Sequence, residues 1–134
     1  MKASLKRLVR KKARFRCEYC HIRRADDPYH GFHIEHIIPR KHGGDDSPEN
    51  LAYACFHCNL HKGANLSGFD PLTGRVVRLF HPRRQRWSAH FYWNGPVAEG
   101  STPTGRATIE VLGFNQSERV ELRRRLGDIG RLPT

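Results

Sequence analysis

The sequence is short of apolar residues and short of acids. Hydrophobic residues fill 37% of 134 positions, which rules out a large apolar interior and leaves any loop-rich segment in need of a staple. No run comes near the roughly 20 apolar residues that a membrane-spanning helix requires. The basic opening, MKASLKRLVRKKARFR, has no apolar stretch behind it. It does not read as a secretory signal, so the chain is expected in the cytoplasm with no membrane partner. Neither an internal repeat nor a low-complexity tract is present. The length favours one domain, or one small core with an appendage.

What is abundant is positive charge. Lys and Arg number 24 against 13 Asp and Glu, a formal net charge of +11. A surplus of that size points to a polyanionic partner, nucleic acid first, rather than to solubility alone. The charge is also clustered: residues 1–16 carry eight Lys or Arg and no acid, and the run 82–86 adds three Arg.

Periodicity and punctuation give a coarse order of elements. Ser4 suits the cap of a helix over 5–13, with Leu5, Leu8 and Val9 on one face and a basic opposite face. Phe32 to Ile38 reads as a strand that Pro39 ends. Residues 40–50 form a turn-rich loop around Gly43-Gly44, Leu51–Ala54 a return strand, and Phe56–Ala64 a short helix closed by Gly63 or Asn65. Past a turn at 68–74, strands are expected at 76–80, 87–93 and 107–112. Asn115 with Glu118 reads as a capping box opening a last helix over 116–126. The expected class is α+β: a basic N-terminal helix (1–16), a core (17–66), and a β-rich C-terminal extension with a final helix (67–134).

Cysteine occurs four times, as two pairs, Cys17-x2-Cys20 and Cys55-x2-Cys58, with 34 residues between them. Each pair offers two thiolates on one knuckle, and zinc takes four such ligands in a tetrahedron. Two disulfides or reduced buried cysteines are the alternatives; in a reducing compartment zinc is the favoured reading. Four protein ligands leave the ion no open position for water, so its role is structural: it closes the segment between the knuckles into a unit.

His33, Glu35, His36, Asn50, Asn59 and His61 lie within or beside that closed segment. Hydrolysis of a phosphodiester needs a base for water and a cation for charge developing on the leaving oxygen. Imidazole is a neutral base near working pH, and a carboxylate with an amide oxygen suits a hard ion such as Mg2+. Any one of these residues alone would be an ordinary surface side chain; their joint placement carries the reading.

The series Cys17-x2-Cys20, His33-Ile-Glu-His-Ile-Ile-Pro39, Gly43-Gly44, Glu49-Asn50-Leu51, Cys55-x2-Cys58-Asn59 and Lys62-Gly63 resembles the HNH endonuclease family, of the ββα-metal or His-Me finger class and zinc-binding four-cysteine type. The resemblance covers residues 17–63 in order. It implies that His36 is the general base and that Glu35 and Asn59 hold one catalytic Mg2+ or Mn2+. It implies that Asn50 holds the loop so that the base stays aimed, and that cleavage leaves 3′-hydroxyl and 5′-phosphate ends. Many members carry Asp where this chain has Glu35. The segments Phe69-Asp-Pro-Leu-Thr-Gly-Arg-Val-Val-Arg-Leu-Phe80, Trp87-x2-His-Phe-Tyr-Trp93 and Thr102-Pro-Thr-Gly-Arg-Ala-Thr-Ile-Glu-Val-Leu112 resemble the C-terminal extension of one bacterial HNH subgroup. Their Trp and Phe residues are expected to be core rather than base-stacking platforms.

His33, Arg40, Lys41, His61 and Lys62 flank the cluster and are assigned to phosphate contact. The expected activity is endonucleolytic, on DNA before RNA. A non-catalytic zinc-ribbon nucleic-acid-binding protein is the main alternative, and a zinc-stabilised interaction module the third. Substrate specificity and oligomeric state are not legible in the sequence.

Overall fold

The computed structural model describes residues 1–134. Its regular elements are helix α1 (Ala3–Lys12), strands β1 (His33–His36) and β2 (Leu51–Ala54), helix α2 (Phe56–Lys62), strands β3 (Ser67–Phe69), β4 (Val76–Arg78), β5 (Phe91–Asn94) and β6 (Val97–Gly100), and helices α3 (Pro103–Leu112) and α4 (Ser117–Asp128). The strands form three separate antiparallel pairs, β1–β2, β3–β4 and β5–β6. The chain is of the α+β class, as the sequence predicts.

The β1–β2 hairpin is the frame on which the site is hung. Its register sets Glu35 opposite Ala52 and His36 opposite Leu51. All four residues of β2 are buried, and alternation explains how a strand can be covered on both faces. Leu51 and Tyr53 pack with Val9 and Ala13 below α1, whereas Ala52 and Ala54 join the cluster that contains the four cysteines. In β1, Glu35 is buried, while His33, on the same face at the start of the strand, is exposed.

Helix α1 begins at Ala3 after Lys2, with no side-chain cap, so Ser4 lies within its first turn and is not the cap that the sequence predicts. Three basic residues close its last turn, Arg10, Lys11 and Lys12, where they favour the negative end of the helix dipole. Val9 is buried, and Leu8 remains 42% exposed.

The expected strand at 107–112 is instead part of α3. Thr102 caps it by accepting from the Gly105 amide at 3.0 Å, Pro103 occupies its first turn, and Gly113 closes it at φ 63°. The expected strand at 87–93 is a 3-10 turn, Trp87–Ala89, followed by β5. Asn115 does not cap α4. Its amide bonds the Ala98 N–H at 2.9 Å and the Ala98 carbonyl at 2.8 Å, which ties the α3–α4 corner to β6. One buried cluster includes Cys17, Tyr19, Cys20 and Ile22 together with Phe80, Phe91, Leu112, Phe114 and Leu126.

Candidate functional site

The two knuckles meet. Cys17, Cys20, Cys55 and Cys58 are buried and free of disulfides, and their sulfurs all lie within 4.8 Å of one another. Each pair is shaped by a backbone N–H bonding back to the first sulfur: Cys20 to Cys17 Sγ at 3.5 Å, Cys58 to Cys55 Sγ at 3.3 Å. Cys55 is thereby also the N-cap of α2, so the second knuckle starts the helix. His21 follows the first knuckle with φ 65°, in the left-handed region that lets the chain turn back. Burial pushes the Cys17 and Cys58 thiols up, while hydrogen bonding with Cys17 pulls Cys20 down. Four sulfurs packed this closely and out of water fit a tetrahedral zinc ion, whose charge stabilises the thiolates.

Residues outside the knuckles buttress this centre. Arg119 of α4 reaches Cys55 Sγ with Nη2 at 3.7 Å and pairs with Asp27 at 3.1 Å. Trp87 donates its indole N–H to the Tyr19 carbonyl at 2.7 Å and stacks on His21, ring centroids 4.3 Å apart. Arg83 pairs with Glu18 within the first knuckle, and Glu18 in turn accepts from the Tyr53 amide at 2.7 Å. Arg83 therefore serves an internal contact, and of the Arg in 82–86 only Arg84 and Arg86 lie exposed.

The meeting of the two knuckles accompanies the packing of the β1 end against α2. Glu35, His36 and Asn59 line one open cleft of about 290 Å³, with Ile34, Pro39, Arg40 and Gly63 completing its wall. Strand neighbours point to opposite faces, yet Glu35 and His36, at the end of β1, both border this space; the Ile37 amide still bonds the Asn50 carbonyl at 2.8 Å in the same register.

Glu35 is buried, and both its oxygens are engaged. Tyr19 donates its hydroxyl to Oε1, and the Lys62 ammonium donates to Oε2 at 3.0 Å. Burial raises the Glu35 carboxyl above its ordinary range, against the opposing pull of Lys62. An ionised carboxylate has about four acceptor positions, so about two remain for a cation. The Asn59 side-chain amide is half-buried and makes no hydrogen bond within the chain. Carboxylate and amide oxygens are the donors a hard divalent ion takes, with waters filling its shell. The set fits such an ion, on the condition that Lys62 shares the carboxylate.

His36 is half-buried, and its Nε2 lies 2.7 Å from Asp46 Oδ1. The hydrogen bond from His36 holds the Asp46 carboxyl below the usual range. Asn50 is buried and staples the loop: Oδ1 accepts from the Ile38 amide at 2.8 Å, and Nδ2 donates to the Ile38 carbonyl at 3.0 Å and the Asp45 carbonyl at 2.9 Å. Gly44 is required here, because a Cβ would stand 1.6 Å from the Ile38 oxygen.

The five residues assigned to phosphate contact divide. His33 and Lys41 are exposed. Arg40 is exposed, but its Nη2 is held by Asp46 at 2.8 and 3.0 Å. Lys62 is 2% exposed, and its ammonium is used by Glu35 and by the carbonyls of His36 and Ile37 at 3.2 and 2.9 Å. It cannot meet a phosphate, and its assignment is corrected to an internal cation. His61 is half-buried and spends Nδ1 on the His57 carbonyl at 2.8 Å and Nε2 on Gln116 at 3.1 Å, so it too is engaged within the chain.

Compared with known families, residues 17–65 match the family described as HNH endonuclease. Nothing among curated proteins or solved structures matches the chain.

Proposed function

We propose that the HNH domain of this chain makes it a metal-dependent endonuclease that hydrolyses phosphodiester bonds of nucleic acid, DNA before RNA. The observation that carries this reading is the common cleft of Glu35, His36 and Asn59, set between the two knuckles. No other function considered explains why a carboxylate, an imidazole and an unengaged amide border one space beside a zinc-closed hairpin.

In this reading His36 takes a proton from water at Nδ1, the ring nitrogen that makes no hydrogen bond within the chain. The water oxygen attacks phosphorus, the bond to the 3′ oxygen breaks, and that oxygen leaves as a hydroxyl after protonation, with a 5′-phosphate on the other fragment. A Mg2+ or Mn2+ ion held by Glu35 and Asn59 would supply stabilisation of charge on the leaving oxygen. Asn50 keeps the loop closed, so that His36 stays aimed rather than rotating freely. The exposed bases of α1, among them Lys6, Arg7 and Lys11, give the field that draws the polyanion.

One observation favours a second reading. The Lys62 ammonium already neutralises Glu35, which weakens the attraction for a divalent ion. A non-catalytic zinc-stapled nucleic-acid-binding protein would keep that pair permanently. The two readings separate on supercoiled plasmid incubated with zinc-loaded protein and Mg2+ or Mn2+, beside His36→Ala. The nuclease reading expects nicking by the wild type and a loss of about 100-fold or more in the variant, the range that removing a general base costs. Equal traces of nicking by both proteins would overturn it.

A further inference from the structure

We propose that Asp46, pinned by Arg40, is the positioning residue that fixes the His36 ring in the tautomer with the proton on Nε2 and the lone pair on Nδ1. The inference deepens the nuclease reading and rests on it for its consequence, not for its geometry. His36 Nε2 lies 2.7 Å from Asp46 Oδ1. A carboxylate only accepts, so the nitrogen facing it must donate. In a neutral imidazole this leaves Nδ1 as the acceptor.

The contact is set up by the fold of the intervening loop rather than by chance collapse of two surface side chains. The partners lie 10 positions apart in the chain. Asn50 grips the loop at Ile38 and at Asp45, directly before Asp46. Gly44 permits the close pass under the Ile38 oxygen that a Cβ would forbid. Arg40 then binds both carboxylate oxygens through Nη2, at 2.8 and 3.0 Å, a second contact that favours this orientation of a side chain 46% exposed. Asn50 thus acts on the base at one remove: it delivers Asp46, and Asp46 orients the ring.

The requirement is chemical. A base that samples both tautomers presents its lone pair to the water only part of the time. A ring free to spin is seldom in line. A carboxylate behind an imidazole, fixing tautomer and orientation, is a general solution to that difficulty.

The test uses the zinc-loaded full chain, labelled with 15N at histidine, with His36→Gln identifying the ring signals. Two-bond proton–nitrogen spectra above neutral pH report which nitrogen carries the proton. The wild type is expected to show His36 protonated at Nε2 alone. Asp46→Ala should show a mixture, and Asp46→Glu should restore most of the wild-type pattern. In plasmid cleavage, Asp46→Ala should lower kcat by about tenfold or more, less than the 10²–10⁴-fold worth of the base itself, with KM changed little and partial rescue by Glu. A ring that stays protonated at Nε2 in Asp46→Ala overturns the proposal. So does an unchanged kcat when the tautomer is lost. If the wild type does not cleave, the nuclease reading fails and the spectra alone decide what Asp46 does.

Discussion

At the scale of single residues, the cleft turns on what Lys62 does. Its ammonium has three acceptors and almost no exposure, so it acts as part of the interior. Removing one partner of a buried pair strands the other, at a cost of about 3 kcal/mol. The raised Glu35 carboxyl can answer part of that cost by taking up a proton. Lys62→Met is therefore expected to lower the melting temperature by several degrees in thermal denaturation; a melting point equal to that of wild type would return Lys62 to the surface. A second residue-scale case is Asp70, which is buried and bonded by Arg106 at 2.8 and 3.0 Å, by Thr73 at 2.7 Å and by the Leu72 amide at 3.0 Å. The Arg106 hydrogen bond, before the others, holds its carboxyl well below the ordinary range. A depressed folded value means that the stabilisation is complete above the unfolded value, near about 4, and is lost as pH falls below it. Melting curves from pH 7 down to strongly acid conditions should fall more steeply for wild type than for Asp70→Asn, and parallel curves would refute the assignment.

At the scale of elements, the zinc knuckles and α4 are joined by Arg119. A buried guanidinium 3.7 Å from a ligand sulfur offsets the negative charge of a four-thiolate site, and partners of this kind change metal affinity by about 10–100-fold when removed. Arg119→Met should release zinc faster to a chromogenic chelator, whereas Cys58→Ala should lose both zinc and the cooperative unfolding transition. The knuckles, β1, β2 and α2 were legible in the sequence because their signals are local: CxxC spacing, a Pro stop, a cysteine before a short helix. The C-terminal helix α3 was not. Thr108, Ile109 and Val111 are β-branched and suggest a strand, and the Thr102-Pro103 start and the Gly113 stop suit a strand's flanking turns as well as a helix's ends. Asn115 has the right residue type for a cap, but a stronger pair of bonds to Ala98 claims it. Asp46, Tyr19 and Arg119 gave no local signal at all, since each acts on a residue brought near only by tertiary folding.

At the scale of the molecule, charge is divided by use. Part of the Arg surplus is internal: Arg83, Arg106, Arg119 and Arg123 are paired or buried within the chain. The N-terminal bases are not, for Lys2, Lys6, Arg7, Lys11 and Lys12 are exposed and make no ion pair. Affinity for duplex DNA should consequently fall by about tenfold or more between 50 and 200 mM salt, and replacing Lys6, Arg7 and Lys11 by Gln should flatten the log–log slope by roughly three. Identical slopes would move the electrostatic footprint off α1. We propose that the frame closed by the two knuckles presents Glu35 and Asn59 to a single hard cation beside the His36 ring. This placement is tested most directly by adding Mn2+ to the zinc-loaded chain and following paramagnetic broadening of NMR signals. Broadening that begins at the Asn59 side-chain amide, the His36 ring and the Glu35 backbone is the predicted result; broadening that begins elsewhere, or spares Asn59, would contradict it.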